Sequence, residues 1–143
     1  MQGYYDMPEA TAAALTPDGW LRTGDLVAIR DDGQLEIRDR LKELIKVNGS
    51  SVAPAEIELV LRQHPAVHDA GVVGVPDAQR GEAPVAFVAL DAPADTAEIE
   101  EFAAARLARY KRPREIVVVD EVPRVPTGKL LRRVLRERAL AQA

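Results

Sequence analysis

The sequence predicts an α+β fold: a small, mostly antiparallel sheet with helices packed on it, preceded by a separate β-hairpin. Three observations carry this. Ala70–Val75 (AGVVGV) and Val85–Leu90 (VAFVAL) are continuous apolar runs of strand length. Ile116–Val119 (IVVV) is a third run, β-branched throughout. Around them lie segments whose apolar residues recur at helical intervals.

Taken in order, Leu26–Arg30 and Gln34–Arg38 read as two strands joined at the turn Asp31-Asp32-Gly33. Glu43–Val47 is a short strand, stopped by Asn48-Gly49-Ser50-Ser51. Pro54 fits the first turn of a helix, where its missing N–H costs nothing. Ile57, Val60 and Leu61 give that helix an apolar stripe, and His64-Pro65 ends it. The two apolar runs that follow are joined by a polar loop, PDAQRGEAP. Asp95 and Glu98 have the spacing of a capping box, with Ile99, Phe102, Ala103, Leu107 and Tyr110 continuing at helical intervals until Pro113. Leu130, Leu131, Val134 and Leu135 form the stripe of a last, basic helix.

From Glu43 the order is therefore β-α-β-β-α-β-α, helices on one small sheet. The earlier hairpin needs something to pack against, because a lone hairpin is marginally stable. Residues 1–41 are thus expected to be the tail of a larger unit, and 42–143 a complete small domain.

The 143 residues are 47% hydrophobic and 29% charged, a globular composition. The absence of cysteine excludes disulfides, thiol nucleophiles and thiolate metal sites. No apolar run has the length of a membrane span, and the first residues lack the layout of a signal peptide, so a cytoplasmic location is expected. The net charge of −4 is unevenly spread: −11 over residues 1–105 and +7 over residues 106–143. A basic end either steers phosphate-bearing partners or is a solvated helix face. Nucleic acid is disfavoured as a partner, since the basic end has no interleaved aromatics and the chain is acidic overall.

The chemistry-bearing residues each allow two readings. Thr127-Gly128-Lys129 looks like part of a phosphate loop, but Pro123 stands where that motif needs its first glycine and Leu130 where it needs Ser or Thr. That leaves Lys129 on a Pro/Gly-flanked, hinge-like loop, as a surface lysine or as a cation reaching a phosphorus centre. Asp25, after Thr23-Gly24, caps a turn or accepts from ribose hydroxyls. Arg40, Lys42 and Lys46 share a face or are solvated charges. Gly49 serves a turn or makes room for a ligand. His64 and His68 are separated by a helix-breaking proline with no third ligand near, which argues against zinc. Ser50-Ser51 has no base nearby in sequence.

Their order is more telling. GYYDMPEAT, GWLRTGDL, DRLKELIKVNGSSVAPAEIE and VPRVPTGKLLRR, in that succession, resemble the acyl-adenylate-forming superfamily over essentially the whole chain. The resemblance is nearest to 4-coumarate–CoA ligase-like and fatty acyl-CoA synthetase-like members. It implies a small C-terminal lid domain that rotates between two steps. A carboxylate attacks the α-phosphorus of ATP, bound with Mg, to give acyl-AMP; the thiol of CoA then displaces AMP. Carried onto this sequence, Asp25 and Arg40 hold the ribose of ATP or AMP, Lys42 is the hinge, and Lys129 serves adenylation. Lys46 and Gly49 face the site during thioester formation, Gly49 leaving room for pantetheine. No metal ligand falls in the chain.

Ser51 replaces the glutamine of many relatives, Ser50 an aromatic or arginine, and Asp39 the commoner glycine. The resemblance places the acyl and adenine pockets in an N-terminal AMP-binding domain, outside these residues. The chain is accordingly expected to be inactive alone and to need that domain, with a small carboxylic acid as substrate. A protein lysine acetyltransferase acting on Lys129 is a further implied partner. Two other readings are a lid that serves acyl transfer to a carrier protein and a non-catalytic binding or regulatory module.

Overall fold

The computed structural model describes residues 1–142. It is an α+β structure with two sheets. A two-stranded antiparallel sheet, β1 (Asp25–Ile29) and β2 (Leu35–Arg40), stands apart from a five-stranded one. Both hairpin strands lie within a residue or two of the predicted bounds, around a turn in which Gly33 adopts φ +79°. Val27, Ile29, Leu35 and Ile37 are all solvent-exposed. Ahead of the hairpin, Pro8–Ala14 forms a short helix, α1, beyond the elements expected from the sequence. It buries no residue, so it lacks the apolar stripe by which a helix is recognised.

The larger sheet contains β3 (Ile45–Val47), β4 (Ser50–Val52), β5 (Val67–Asp77), β6 (Gly81–Leu90) and β7 (Glu115–Val118) in the order β4-β3-β6-β5, with β7 also on β6. All pairs are antiparallel except β6–β7. Three helices cover it: α2 (Pro54–Leu61), α3 (Thr96–Ala104) and α4 (Arg132–Ala141).

Burial on both faces explains the unbroken apolar runs. Ala70, Val72, Ala86 and Val88 point with Ile57, Leu61, Ile99 and Leu107 into one cluster. Val73, Val75, Val85, Phe87 and Ala89 point to the other side, against Leu135 and Ala139 of α4. A strand covered on both faces has no position where a polar side chain is favoured. Each fully buried Leu, Ile or Phe stabilises by roughly 1.5–3 kcal/mol.

Several predicted boundaries differ: α4 starts at Arg132, so Leu130 and Leu131 precede it, with Leu130 in a β-bridge, and β3 starts at Ile45 rather than Glu43. The segment Asn48-Gly49-Ser50-Ser51 does not simply stop β3. Asn48 (φ +49°) and Gly49 (φ +79°) make a two-residue turn, and Ser50 and Ser51 begin β4. The segment PDAQRGEAP is mostly strand: the ladder runs to Asp77↔Gly81, and Asp77 closes the turn by accepting from the amides of Gln79 and Arg80. Finally, α3 ends at Ala104 rather than continuing to Tyr110. Arg112 collects the carbonyls of Ala104 (2.8 Å) and Leu107 (3.2 Å), which ends the helix while leaving Leu107 buried. The start of α3 uses half of the expected capping box. Asp95 accepts from Ala97 N, while Glu98 lies 4.0 Å from Nε2 of buried His64.

Candidate functional site

Lys129 lies in the connection between β7 and α4. Backbone pairing there makes a small hairpin: Gly128 N donates to Val125 O at 2.8 Å, and Val125 N to Lys129 O at 2.9 Å. Pro126 fits the second position of the turn, where its fixed φ is already correct, and Gly128 takes φ +84°. The bridge Arg124↔Leu130 closes the base. Lys129 is therefore carried on a tight turn, not on the loose, hinge-like loop that its proline and glycine suggested. Its side chain is exposed.

The base of this turn is fastened to β5. Arg124 donates from Nε and Nη2 to the two carboxylate oxygens of Asp69, at 2.7 and 2.8 Å, and from Nη1 to Gly128 O at 2.7 Å. Burial alone would raise the Asp69 pKa. The hydrogen bonds from Arg124 and Ala70 N, with the charges of Arg124 and Arg62, outweigh it and hold the carboxyl below its usual range. The Asp69 hydrogen bond in turn pushes the Arg124 guanidinium upward. Beyond the turn, Arg132 donates to Glu58 of α2 and, at 2.6 Å, to Val72 O. These four residues had no signal as partners in the sequence, since each pair is separated by more than fifty positions. Only the flanking of the Thr-Gly-Lys by arginines on both sides could have drawn attention.

Asp25 and Arg40 face each other across β1–β2, with Arg40 Nε 3.2 Å from Asp25 Oδ1. Leu41 N donates to Gly24 O at 2.8 Å, fixing the chain where it leaves the hairpin. Lys42 follows in a single 3₁₀ turn, Leu41–Glu43. Arg40, Lys42 and Lys129 line one open cleft, with Asp39, Glu43 and Arg133. The structure thus brings Arg40 and Lys42, at the exit of the hairpin, together with Lys129, Arg132 and Arg133 from near the other end of the chain, Arg40 being paired to Asp25.

Lys46 and Gly49 are elsewhere, on the β3–β4 hairpin, and line none of that cleft. Lys46 opposes Ser51, and its Nζ donates to Ser51 Oγ at 2.6 Å. Its backbone N donates to Glu82 Oε2 at 2.7 Å. Gly49 occupies the turn with open space where a side chain would start. Lys129 and Lys46 are therefore carried on two separate tight hairpins.

The family of AMP-binding enzyme C-terminal domains matches residues 56–129. The chain belongs to that family. As an AMP-binding enzyme C-terminal domain it has many relatives, and they match well beyond that core. It is 47% identical to 4-coumarate–CoA ligase-like 6 of Oryza sativa subsp. japonica, over 99% of this chain and 24% of that protein. The ATP-bound MatB structure from Rhodopseudomonas palustris superimposes with a TM-score of 0.90 at 37% identity, over 96% of this chain and 28% of the other. The Mycobacterium tuberculosis fatty acyl CoA synthetase gives 0.75 at 44% identity, over 99% and 28%. The chain spans about a quarter of the length of the curated relatives it matches. Among its described residues, no helix of this AMP-binding enzyme C-terminal domain is long and apolar enough to cross a membrane.

Proposed function

We propose that this chain is the C-terminal portion of an ATP-dependent carboxylic acid–CoA ligase. Residues 1–41 complete an N-terminal AMP-binding domain, and residues 42–143 form the mobile lid. The observation that carries this reading is the placement of Lys129 on a stiff turn beside Arg40 and Lys42, in a chain that matches CoA ligases throughout.

In the first step a carboxylate oxygen attacks the α-phosphorus of ATP and pyrophosphate leaves. Lys129 places its ammonium against the negative charge that gathers on the attacking and phosphoryl oxygens. Asp25 accepts from ribose hydroxyls through its oxygen not engaged by Arg40, and Arg40 orients both. Mg enters with ATP. In the second step the sulfur of CoA attacks the acyl carbon and AMP leaves. Lys129 must withdraw, and the β3–β4 hairpin takes its place, with Lys46 near the adenylate and Gly49 admitting the pantetheine arm. Lys42, in the 3₁₀ turn between the sheets, absorbs the change of dihedral angles. The distribution of Lys129 and Lys46 over separate hairpins supports this alternation, because one rigid pose cannot present both.

The test is Lys129→Ala in the intact ligase that carries this chain. Pyrophosphate exchange into ATP should fall by about 10²-fold or more, while thioester formation from supplied acyl-adenylate stays near normal. Equal losses in both steps would refute the assignment. The isolated chain should show no exchange.

A further inference from the structure

The lysine turn would be free to swing if only its own backbone held it. Its three internal links, Gly128 N to Val125 O, Val125 N to Lys129 O and Leu131 N to Pro123 O, are ordinary hydrogen bonds in an exposed segment, worth about 0.5–1.5 kcal/mol each. What anchors it is the guanidinium of Arg124, which spends every nitrogen on a separate acceptor. Two go to Asp69, at 2.7 and 2.8 Å, and the third to the carbonyl of Gly128, the residue before Lys129. Asp69 is on β5, 55 residues away in sequence, and its side chain is only 17% exposed. The carboxylate is itself oriented by Ala70 N at 2.8 Å and has Arg62 behind it at 3.9 Å. Close packing completes the platform: at Gly71 an added Cβ would lie 2.7 Å from Leu135, 3.0 Å from Leu130 and 3.1 Å from Val122. The turn therefore sits directly on the β5 backbone.

We infer that Arg124 and Asp69 are positioning residues for Lys129, a brace that fixes the turn bearing the lysine to the sheet and so sets where the ammonium arrives when the domain closes. This rests on the reading of Lys129 as the adenylation lysine. Lysine alone cannot replace Arg124, because one ammonium has no planar fork to span a carboxylate and a carbonyl together. A misplacement on the order of 1 Å at a reacting centre costs up to about 10²-fold in rate, and only the step that uses Lys129 should feel it.

The experiment compares Arg124→Lys, Arg124→Ala, Asp69→Ala and the double Arg124→Ala/Asp69→Ala with Lys129→Ala in the intact ligase. The readouts are pyrophosphate exchange, thioester formation from supplied acyl-adenylate, and backbone amide exchange at Val125 and Gly128. The brace predicts a drop of roughly tenfold or more in the kcat of exchange for Arg124→Lys, with KM for ATP nearly unchanged. It predicts faster amide exchange in the turn, and a double variant little worse than Arg124→Ala. The thioester step should stay within about twofold. Amide exchange like the wild type, additive losses, or equal losses in both steps would overturn the brace. Full exchange activity in Lys129→Ala would instead overturn the reading of Lys129, and the amide data would still decide whether Arg124 anchors the turn.

Discussion

Glu58 and Arg132 close the open edge of β5 by bracketing one residue between them. Glu58 Oε1 accepts from Val72 N at 2.9 Å, and Arg132 Nη1 donates to Val72 O at 2.6 Å while also bonding Glu58. The pair does what a neighbouring strand would do for an edge residue, with side chains in place of a backbone. It also ties α2 to the start of α4. Arg132 stands in the first turn of α4, where the helix dipole disfavours a cation, so its value lies in this contact rather than in the helix.

Removing Arg132 leaves Glu58 as an unpaired buried charge, removing Glu58 leaves Arg132 only its longer contact to Glu43 at 3.9 Å, and either change leaves Val72 short of a partner. Arg132→Ala or Glu58→Ala should each cost about 3 kcal/mol or more in denaturant unfolding. Arg132→Met/Glu58→Leu together should cost less than the sum. Strict additivity would show that the two do not act as a unit.

Gly71 is required by space, not by dihedral angle. Leu135, its nearest contact for an added Cβ, is fully buried and cannot swing into solvent. Gly71→Ala should lower stability by about 1–3 kcal/mol, as overpacking does. In a crystal structure of the variant, α4 should be displaced from β5.

The Asp69 carboxyl titrates below its ordinary 3.8 in the folded state. The unfolded chain then binds this proton at higher pH than the folded one, so stability rises with pH across that window. The contribution is complete above the unfolded value and is lost as pH falls through the folded value. Urea titrations between about pH 2 and 6 should show this slope in the wild type and a weaker one in Asp69→Asn.

Gly49 is the reverse of Gly71: nothing lies within 4 Å of a Cβ there, but its φ of +79° strains any other residue. Gly49→Leu should cost about 1 kcal/mol or slightly more in folding. In the ligase proposed above it should block thioester formation while sparing pyrophosphate exchange. Loss of exchange instead would place Gly49 in the other step.

Much of the fold was legible because β5 and β6 are buried on both faces, and so are written as uninterrupted apolar runs. The start of α3 was legible through Asp95, a local signal. What was missed depends on distant or structural partners. Ser50 and Ser51 carry no β pattern and become a strand only because Asn48-Gly49 turns the chain back on Lys46. Leu107 and Tyr110 keep helical spacing, yet Arg112 ends α3 before them. At the site, the motif order singled out Asp25, Arg40, Lys42, Lys46, Gly49 and Lys129; Arg40, Lys42 and Lys129 share a cleft, Asp25 pairs with Arg40, and Lys46 and Gly49 lie apart on the β3–β4 hairpin. Asp69 and Glu58 read as ordinary polar residues, because only folding brings an arginine to each.

The exposed apolar face of the β1–β2 hairpin has a practical consequence. Ile29, Leu35 and Ile37 are 75%, 67% and 69% exposed, on a sheet whose two strands are both edges. Such a surface templates aggregation. The purified chain should self-associate as its concentration rises, with added sulfate hastening turbidity, and Ile37→Lys should keep it dispersed.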